Sequence, residues 1–327
     1  MTRHHAPPGA EISRFFRLSR FFQERLGGRA RKVPLDAGLS WPIVVFYLSR
    51  SGCVFCIHAG SGTGLHAAGV PLEDQWAGLA GRVLAKYPTS LLVAYLQAYT
   101  NTHCEPEVLR ALIHRISALP GVSGLCLGTR PDCLDVDQPS SGGPSRLDIL
   151  AQAGLRFVQL DLGLQSADDA VLQGINRGHD VACFARAVRA AAQRGIHVCA
   201  HVVDGLPGAA ADDLLRSVAF LNELPVSGIK FHNALVCRGT ALAALWRAGR
   251  YAPPDLDGYA ARVAGAIALL RPDICVQRLA ADPSPGELLA PGWAADKNLT
   301  QRRIEAELVR QDVWQGQALG GRGGEAS

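Results

Sequence analysis

The chain of 327 residues is long enough for one large α/β domain or two smaller ones, and with 48% hydrophobic and 19% charged residues it excludes a disordered or core-poor protein. No apolar run approaches the roughly 18 residues that span a bilayer, and no charged, apolar, small-residue leader opens the sequence, so a soluble cytoplasmic protein is expected. The formal charge of +4 is modest, and nine cysteines without regular spacing exclude a secreted disulfide framework and imply a reducing compartment.

Residues 1–12 carry Pro, Gly, Ala and a His pair without pattern and read as a disordered start. Between Arg14 and Lys32 stand six arginines and one lysine against the single Glu24, interleaved with Phe15, Phe16, Phe21 and Phe22, and Gly27-Gly28 ends this basic helix. Two readings stay open. One is an RNA-binding surface of basic and aromatic residues. The other, preferred, is an amphipathic cap whose phenylalanines close one end of the fold while its arginines face water.

Ile43 to Leu48 form a β-branched and aromatic run that predicts a first buried strand, with Pro34 to Gly38 as its lead-in. Gly52-Cys53-Val54-Phe55-Cys56 follows, then the glycine-rich loop from Ala59 to Gly64. Two thiols at this spacing make a bite for a metal or an iron–sulfur cluster, at the strand end where α/β barrels and open sheets keep their chemistry. Downstream, strand-like runs at 91–96, 124–128, 157–164, 197–203, 228–231 and 274–279 alternate with helical spacing at 73–87, 106–119, 145–153, 181–194, 212–224 and 256–270. That order predicts a parallel sheet in a full or partial barrel.

The strands carry polar stripes. Alternation puts Gln159, Asp161 and Gln165 on one face and Val158, Leu160, Leu162 and Leu164 on the other. His197, Cys199 and His201 repeat the stripe on the next strand, and Lys230 and His232 on the one after. A barrel closed only for stability fills its interior with Val, Ile and Leu, so an interior holding Asp161, Gln165, His201, Lys230 and His232 predicts a ligand chamber. Cys126, Cys199 and Cys275, with Cys183 and Cys237, read as small buried hydrophobes, whereas Cys104 and Cys133 follow strands and are candidates for a site. Polar loops end the strands at 97–102, 129–132, 176–179 and 204–208. In them Arg130 and Arg177 are suited to grip a carboxylate, and Gly205 and Gly208 admit a flat ligand close to the backbone.

With these motifs in view, the chain closely resembles the YhcC type of radical S-adenosylmethionine (SAM) proteins, a bacterial subfamily related to the elongator catalytic subunit and to oxygen-independent coproporphyrinogen oxidase. The resemblance runs from about Lys32 to Lys297. It is carried by Lys32-Val-Pro-Leu-Asp-Ala-Gly38, Gly52-Cys-x-Phe-Cys56, Gln97-Ala-Tyr-Thr-Asn-Thr102, Thr129-Arg-Pro-Asp132, Gly163-Leu-Gln-Ser166, Asn176-Arg-Gly-His179, Gly205-Leu-Pro-Gly208, Gly239-Thr240 and Pro291-Gly-Trp293 with Asp296-Lys297. It implies a partial (β/α)6 TIM-like barrel over residues 33–282, preceded by the basic segment 1–32 and followed by a C-terminal extension, 283–327, with a disordered tail. It implies a [4Fe-4S] cluster on three cysteines, Cys53 and Cys56 among them. SAM on the fourth iron, and a reductant such as flavodoxin or ferredoxin, would then yield a 5′-deoxyadenosyl radical. Phe55 is implied near the adenine and Gly205 to Gly208 beside the adenosyl group. Gln97, Thr100, Asn101, Gln165, Arg177 and His179 are implied along the methionine and ribose, and Asp161 and Ser166 belong to the same cofactor-binding set.

The sequence departs from the family at the cluster loop. Trp41 stands where the family has its first cysteine, Ile43 to Phe46 replace a polar stretch, and Ala209 replaces the acidic residue after Gly-Leu-Pro-Gly. An indole only donates a hydrogen bond, and a cubane cluster ordinarily needs three or four thiolates. The expectation is a radical SAM protein whose third ligand comes from Cys104, His58 or a partner. Its rivals are a cluster-deficient, non-catalytic binding protein on the same fold, and a zinc protein using Cys53 and Cys56 with His58 or His66. Elongator-type relatives imply transfer RNA as substrate and porphyrin-type relatives a tetrapyrrole; the basic helix tilts the expectation to RNA.

Overall fold

The computed structural model describes residues 13–39, 53–55, 63–88, 90–97, 100–136 and 143–322. The strand expected at 43–48 lies outside them, as do Trp41, Cys56 and His58. Helix α1 (Leu18–Leu26) precedes β1 (Ala30–Leu35), and α2 (Leu72–Lys86) leads to β2 (Leu91–Leu96). Then α3 (Pro106–Ser117) leads to β3 (Val122–Thr129), α4 (Arg146–Ala151) to β4 (Val158–Gln165), α5 (Asp169–Gly174) and α6 (Val181–Gln193) to β5 (His197–Asp204), and α7 (Asp213–Asn222) to β6 (Gly228–Asn233). A short β7 (Val236–Cys237), α8 (Ala241–Arg247) and α9 (Leu256–Leu269) come before β8 (Cys275–Arg278); β9 (Leu288–Ala290) pairs antiparallel with β7, and α10 (Lys297–Arg310) follows.

Seven strands form one sheet in the order β1-β2-β3-β4-β5-β6-β8, every neighbouring pair parallel. Such neighbours need crossovers, which lay the helices on the outer face. No β1–β8 pairing closes the sheet among the described residues, so it is a curled half-barrel. The curl is deep enough for Lys32 on β1 to reach Gln277 on β8 at 3.1 Å across the lumen. Leu160, Leu162 and Leu164 of β4 join the core under the helices, while Gln159 and Asp161 point inward, as the alternation predicts. The sheet begins at Ala30, earlier than the sequence suggested. Val33 and Leu35 enter the core of the helical layer, and Pro34, which has no amide hydrogen, is tolerated because β1 is an edge strand.

Helix α1 plugs the end where the strands begin. Phe21, Phe22 and Leu26 pack with Ala30, Val93, Phe157 and Cys275, and Phe157 stacks on His197 with ring centroids 4.9 Å apart. Gly27, at φ 78°, ends the helix, its amide bonding the Gln23 carbonyl. This is the capping arrangement expected of the alternating Phe and Arg residues. The neighbouring arginines are occupied on the surface: Arg20 pairs with Glu24, Arg17 with Glu305 and Arg14 with Asp312, and Gln315 Oε1 accepts the Phe16 amide. Residues from the two ends of the described chain are thus stitched together at the closed end. Cys126, Cys199, Cys237 and Cys275 are buried as expected, whereas Cys183, in the first turn of α6, is only half-buried. Among the described residues no helix is long and apolar enough to cross a membrane.

Candidate cofactor and substrate site

The strand C-terminal ends and the loops after them surround a cavity of about 300 Å³. Its mouth is formed by Phe55, Gln97, Thr100, Arg130, Gln165 and Arg177, and its floor by Tyr95, Asp161, His201, Lys230, His232 and Arg278. A bulge in the β4–β5 pairing sits between Gly163 and Gln165, and Gln165 has a φ of 77°; this kink aims its amide into the mouth rather than along the sheet. Gly163 is needed beside it, since a Cβ there would lie 2.4 Å from both Arg177 Nη2 and Gln165 Nε2.

Arg177 is fixed by its own loop. Its Nη2 donates to the Gly163 carbonyl at 3.2 Å and its Nε to His179 Nε2 at 2.9 Å. His179 is poised to accept, because burial and the Arg177 charge push its pKa down to about 3, and its Nδ1 lies 3.2 Å from the Asp180 carbonyl. Arg130 is clamped to Asp132 through Nε at 2.9 Å and Nη2 at 2.7 Å, which leaves Nη1 buried without a hydrogen-bond partner. An unsatisfied guanidinium nitrogen at a cavity wall is a place for a carboxylate.

The remaining residues expected at the cofactor support this wall from behind. Asn101 donates to the carbonyls of Leu96 and Gly128, each at 3.0 Å, and so holds the loop that presents Thr100. Ser166 turns to Asp213 at 2.8 Å and is fully buried. Gly205 and Gly208 adopt φ values of 82° and 79°; the Gly205 carbonyl accepts from Tyr251 at 2.7 Å, and Pro254 fills the space where a Cβ would stand. Cys53 is buried beside Val171, Leu172 and Leu206, and Val54 is tied on both sides, its amide to Ile175 and its carbonyl to Leu242. Cys104 packs toward the helical-layer core, with burial raising its thiol pKa, and His66 lies over Gly38.

The floor is a charge cluster. Asp161 bonds Lys230 and accepts from Gln159 at 2.7 Å, with Lys32 at 3.8 Å and His201 at 3.7 Å. Burial opposes its ionisation, but Lys230 and Lys32 outweigh burial and hold its pKa well below the usual carboxylate range. Burial lowers and Asp161 raises the Lys32 pKa, with a net rise. His201 is held neutral, at about 4, by burial and the Lys230 charge. Tyr95, whose hydroxyl lies 3.1 Å from Lys230, and Arg278 were not expected in a site, and Lys32 was expected only as part of a motif. The alternation of Val93 with Tyr95 on β2 was the available signal.

Residues 46–221 match the family model described as the Radical SAM superfamily, and residues 226–310 match the Radical_SAM C-terminal domain. The protein YhcC of Escherichia coli K12 is 34% identical over 299 residues, 90% of this chain and 92% of its own. A tRNA uridine(34) acetyltransferase of Dehalococcoides mccartyi is 29% identical over 162 residues, 49% of this chain and 33% of its own. In fold, the archaeal Elp3 of Methanocaldococcus infernus superimposes with a TM-score of 0.62 at 17% identity, covering 76% of this chain and 63% of that one.

Proposed function

We propose, from the premise that the chain belongs to the Radical SAM superfamily, that it binds S-adenosylmethionine across the mouth of the half-barrel, above a charged chamber that receives part of an RNA substrate. The observation that carries the cofactor reading is the buried, unpartnered Nη1 of Arg130, a residue that lines the same cavity as Gln165, Arg177 and Phe55. Arg130 would take the methionine carboxylate, Gln97 and Thr100 its amino group, and Phe55 the adenine. Arg177, fixed by His179 and the Gly163 carbonyl, would orient the ligand at no cost in reordering side chains. In the family this ligand supplies the adenosyl carbon for radical chemistry.

The cluster is a different matter. Cys53 and Cys56 bring two thiolates, Trp41 brings none, and the match to the family begins at residue 46, past the tryptophan. Cys56 and His58 lie outside the described residues; among the described residues the trio of potential ligand atoms that forms is Asp161, Cys199 and His201, in the floor. This donor set does not fit a [4Fe-4S] cubane, and no radical step follows from it. Cluster-free SAM binding is therefore the favoured reading.

The test combines equilibrium dialysis of labelled SAM with anaerobic iron and sulfide loading of the unmodified protein and of Trp41→Cys. SAM retention by both, with a cubane electron paramagnetic resonance signal only in Trp41→Cys, is expected. A cubane signal in the unmodified protein would reveal a third ligand and restore the radical reading; zinc bound without sulfide would support the zinc alternative. The RNA part of the proposal draws on the tRNA relative alone, since the basic helix lies at the closed end, away from the mouth.

A further inference from the structure

The floor of the chamber holds more positive charge than it balances. Lys32 and Lys230 share the single carboxylate of Asp161, and Arg278, 3.5 Å from Asp282, lines the same floor. The oxygens of Asp161 are already engaged by Lys230 and Gln159. Two imidazoles line the same space, His201 and His232, with ring centroids 5.0 Å apart; the Nε2 atom of each is buried without a close hydrogen-bond partner, that of His201 standing 3.7 Å from Asp161 Oδ2. Burial of an unbalanced charge beside unsatisfied polar atoms is costly, and it persists where a ligand completes it.

We infer that this floor is an oxyanion site: a carboxylate or phosphate carried by the substrate is held by Nε2 of His201, Nε2 of His232 and the Arg278 guanidinium, above Lys230 and Lys32. The inference deepens the proposed function and rests on its reading of the chamber as the substrate's. Neutral imidazoles are suited to the role. Each can present an N–H, and neither adds a full charge while the site is empty. Their pKa values are depressed in the fold, His201 first by burial and then by Lys230, His232 first by burial and then by His201 and Arg278. A metal ion is the competing occupant, because ligand atoms of Asp161, Cys199 and His201 lie within 4.8 Å of one another. Against it, two ammonium groups crowd the carboxylate, and burial holds the Cys199 thiol protonated, its pKa well above the ordinary value. The site therefore selects for negative charge.

Histidine-selective ¹³C labelling of the whole chain gives a direct test. The His201 and His232 ring signals, identified through His201→Gln and His232→Gln, are followed while acetate or inorganic phosphate is added at fixed ionic strength. Saturable movement of both signals is expected, with the His201 titration midpoint rising by about one pH unit as the anion enters, and with roughly tenfold weaker binding in Arg278→Gln. A stronger response to acetate assigns a carboxylate, and a stronger response to phosphate a phosphate ester. Signals that stay still with both anions, or that respond equally in Arg278→Gln, overturn the inference. SAM retention is measured on the same samples: an anion response without it removes the cofactor proposal and leaves this site standing, and retention without an anion response does the reverse.

Discussion

Single side chains in the floor set how the protein answers to acid. His201 and His197 are both held near pKa 4 by burial, with Lys230 and Arg25 respectively assisting. Each takes up a proton on unfolding below pH 6.5, so the unfolded state gains and stability falls as pH drops from 6.5 toward 4. Urea unfolding at pH 7 and pH 5 should show a loss of about 2 kcal/mol from His201, and less from the more exposed His197. Asp161 acts lower: its depressed pKa gives stability that is complete above about pH 4 and is lost as pH falls below it. Asp161→Asn leaves Lys32 and Lys230 buried without an anion and should cost about 3–5 kcal/mol in the same assay at pH 7. Gly163→Ala places a methyl 2.4 Å from Arg177 Nη2 and Gln165 Nε2; SAM retention should fall at least about tenfold while the melting temperature moves little. The stripe of Gln159, Asp161, His201, Lys230 and His232 was legible in the sequence because a strand alternates with period two. Arg278 was not, because β8 has only four residues and shows no alternation to read.

Among the elements, α1 separates two meanings that one sequence pattern carried. Basic and aromatic residues interleaved suit a nucleic-acid surface and a plug equally, and only the position of Phe157 and His197 beneath Phe21 and Phe22 decides for the plug. Phe22→Ala should cost about 3–5 kcal/mol by denaturant unfolding. Substituting Arg20 or Arg25 by Ser should leave any RNA affinity unchanged, as read by filter binding across a salt series. Strand β1 was hidden for a related reason. Its sequence, Ala-Arg-Lys-Val-Pro-Leu, is charged and holds a proline, and it becomes a strand because pairing with β2 and the burial of Val33 and Leu35 outweigh its weak local preference. The other six strands of the sheet were legible as short apolar runs between helical periods, displaced only at their ends.

For the molecule as a whole, order of elements was enough to predict a parallel sheet in a partial barrel. The contacts of Asn101 and Ser166 needed coordinates: their side chains bond Leu96 and Gly128, and Asp213, which no motif spacing could tell. The stitching at the closed end has a consequence for how this protein is made. Arg14 and Asp312 are 298 positions apart, and Phe21 must wait for Phe157 to arrive before it has a ring to pack against. At the usual pace of translation, about 5–20 residues per second, the segment that seals the barrel floor leaves the ribosome some 15–60 seconds before its last partners do. Until Phe157 emerges, at that pace about 7–27 seconds after Phe21, the nascent chain carries an unsheltered run of phenylalanines, which makes helix α1 the natural point of engagement for a chaperone.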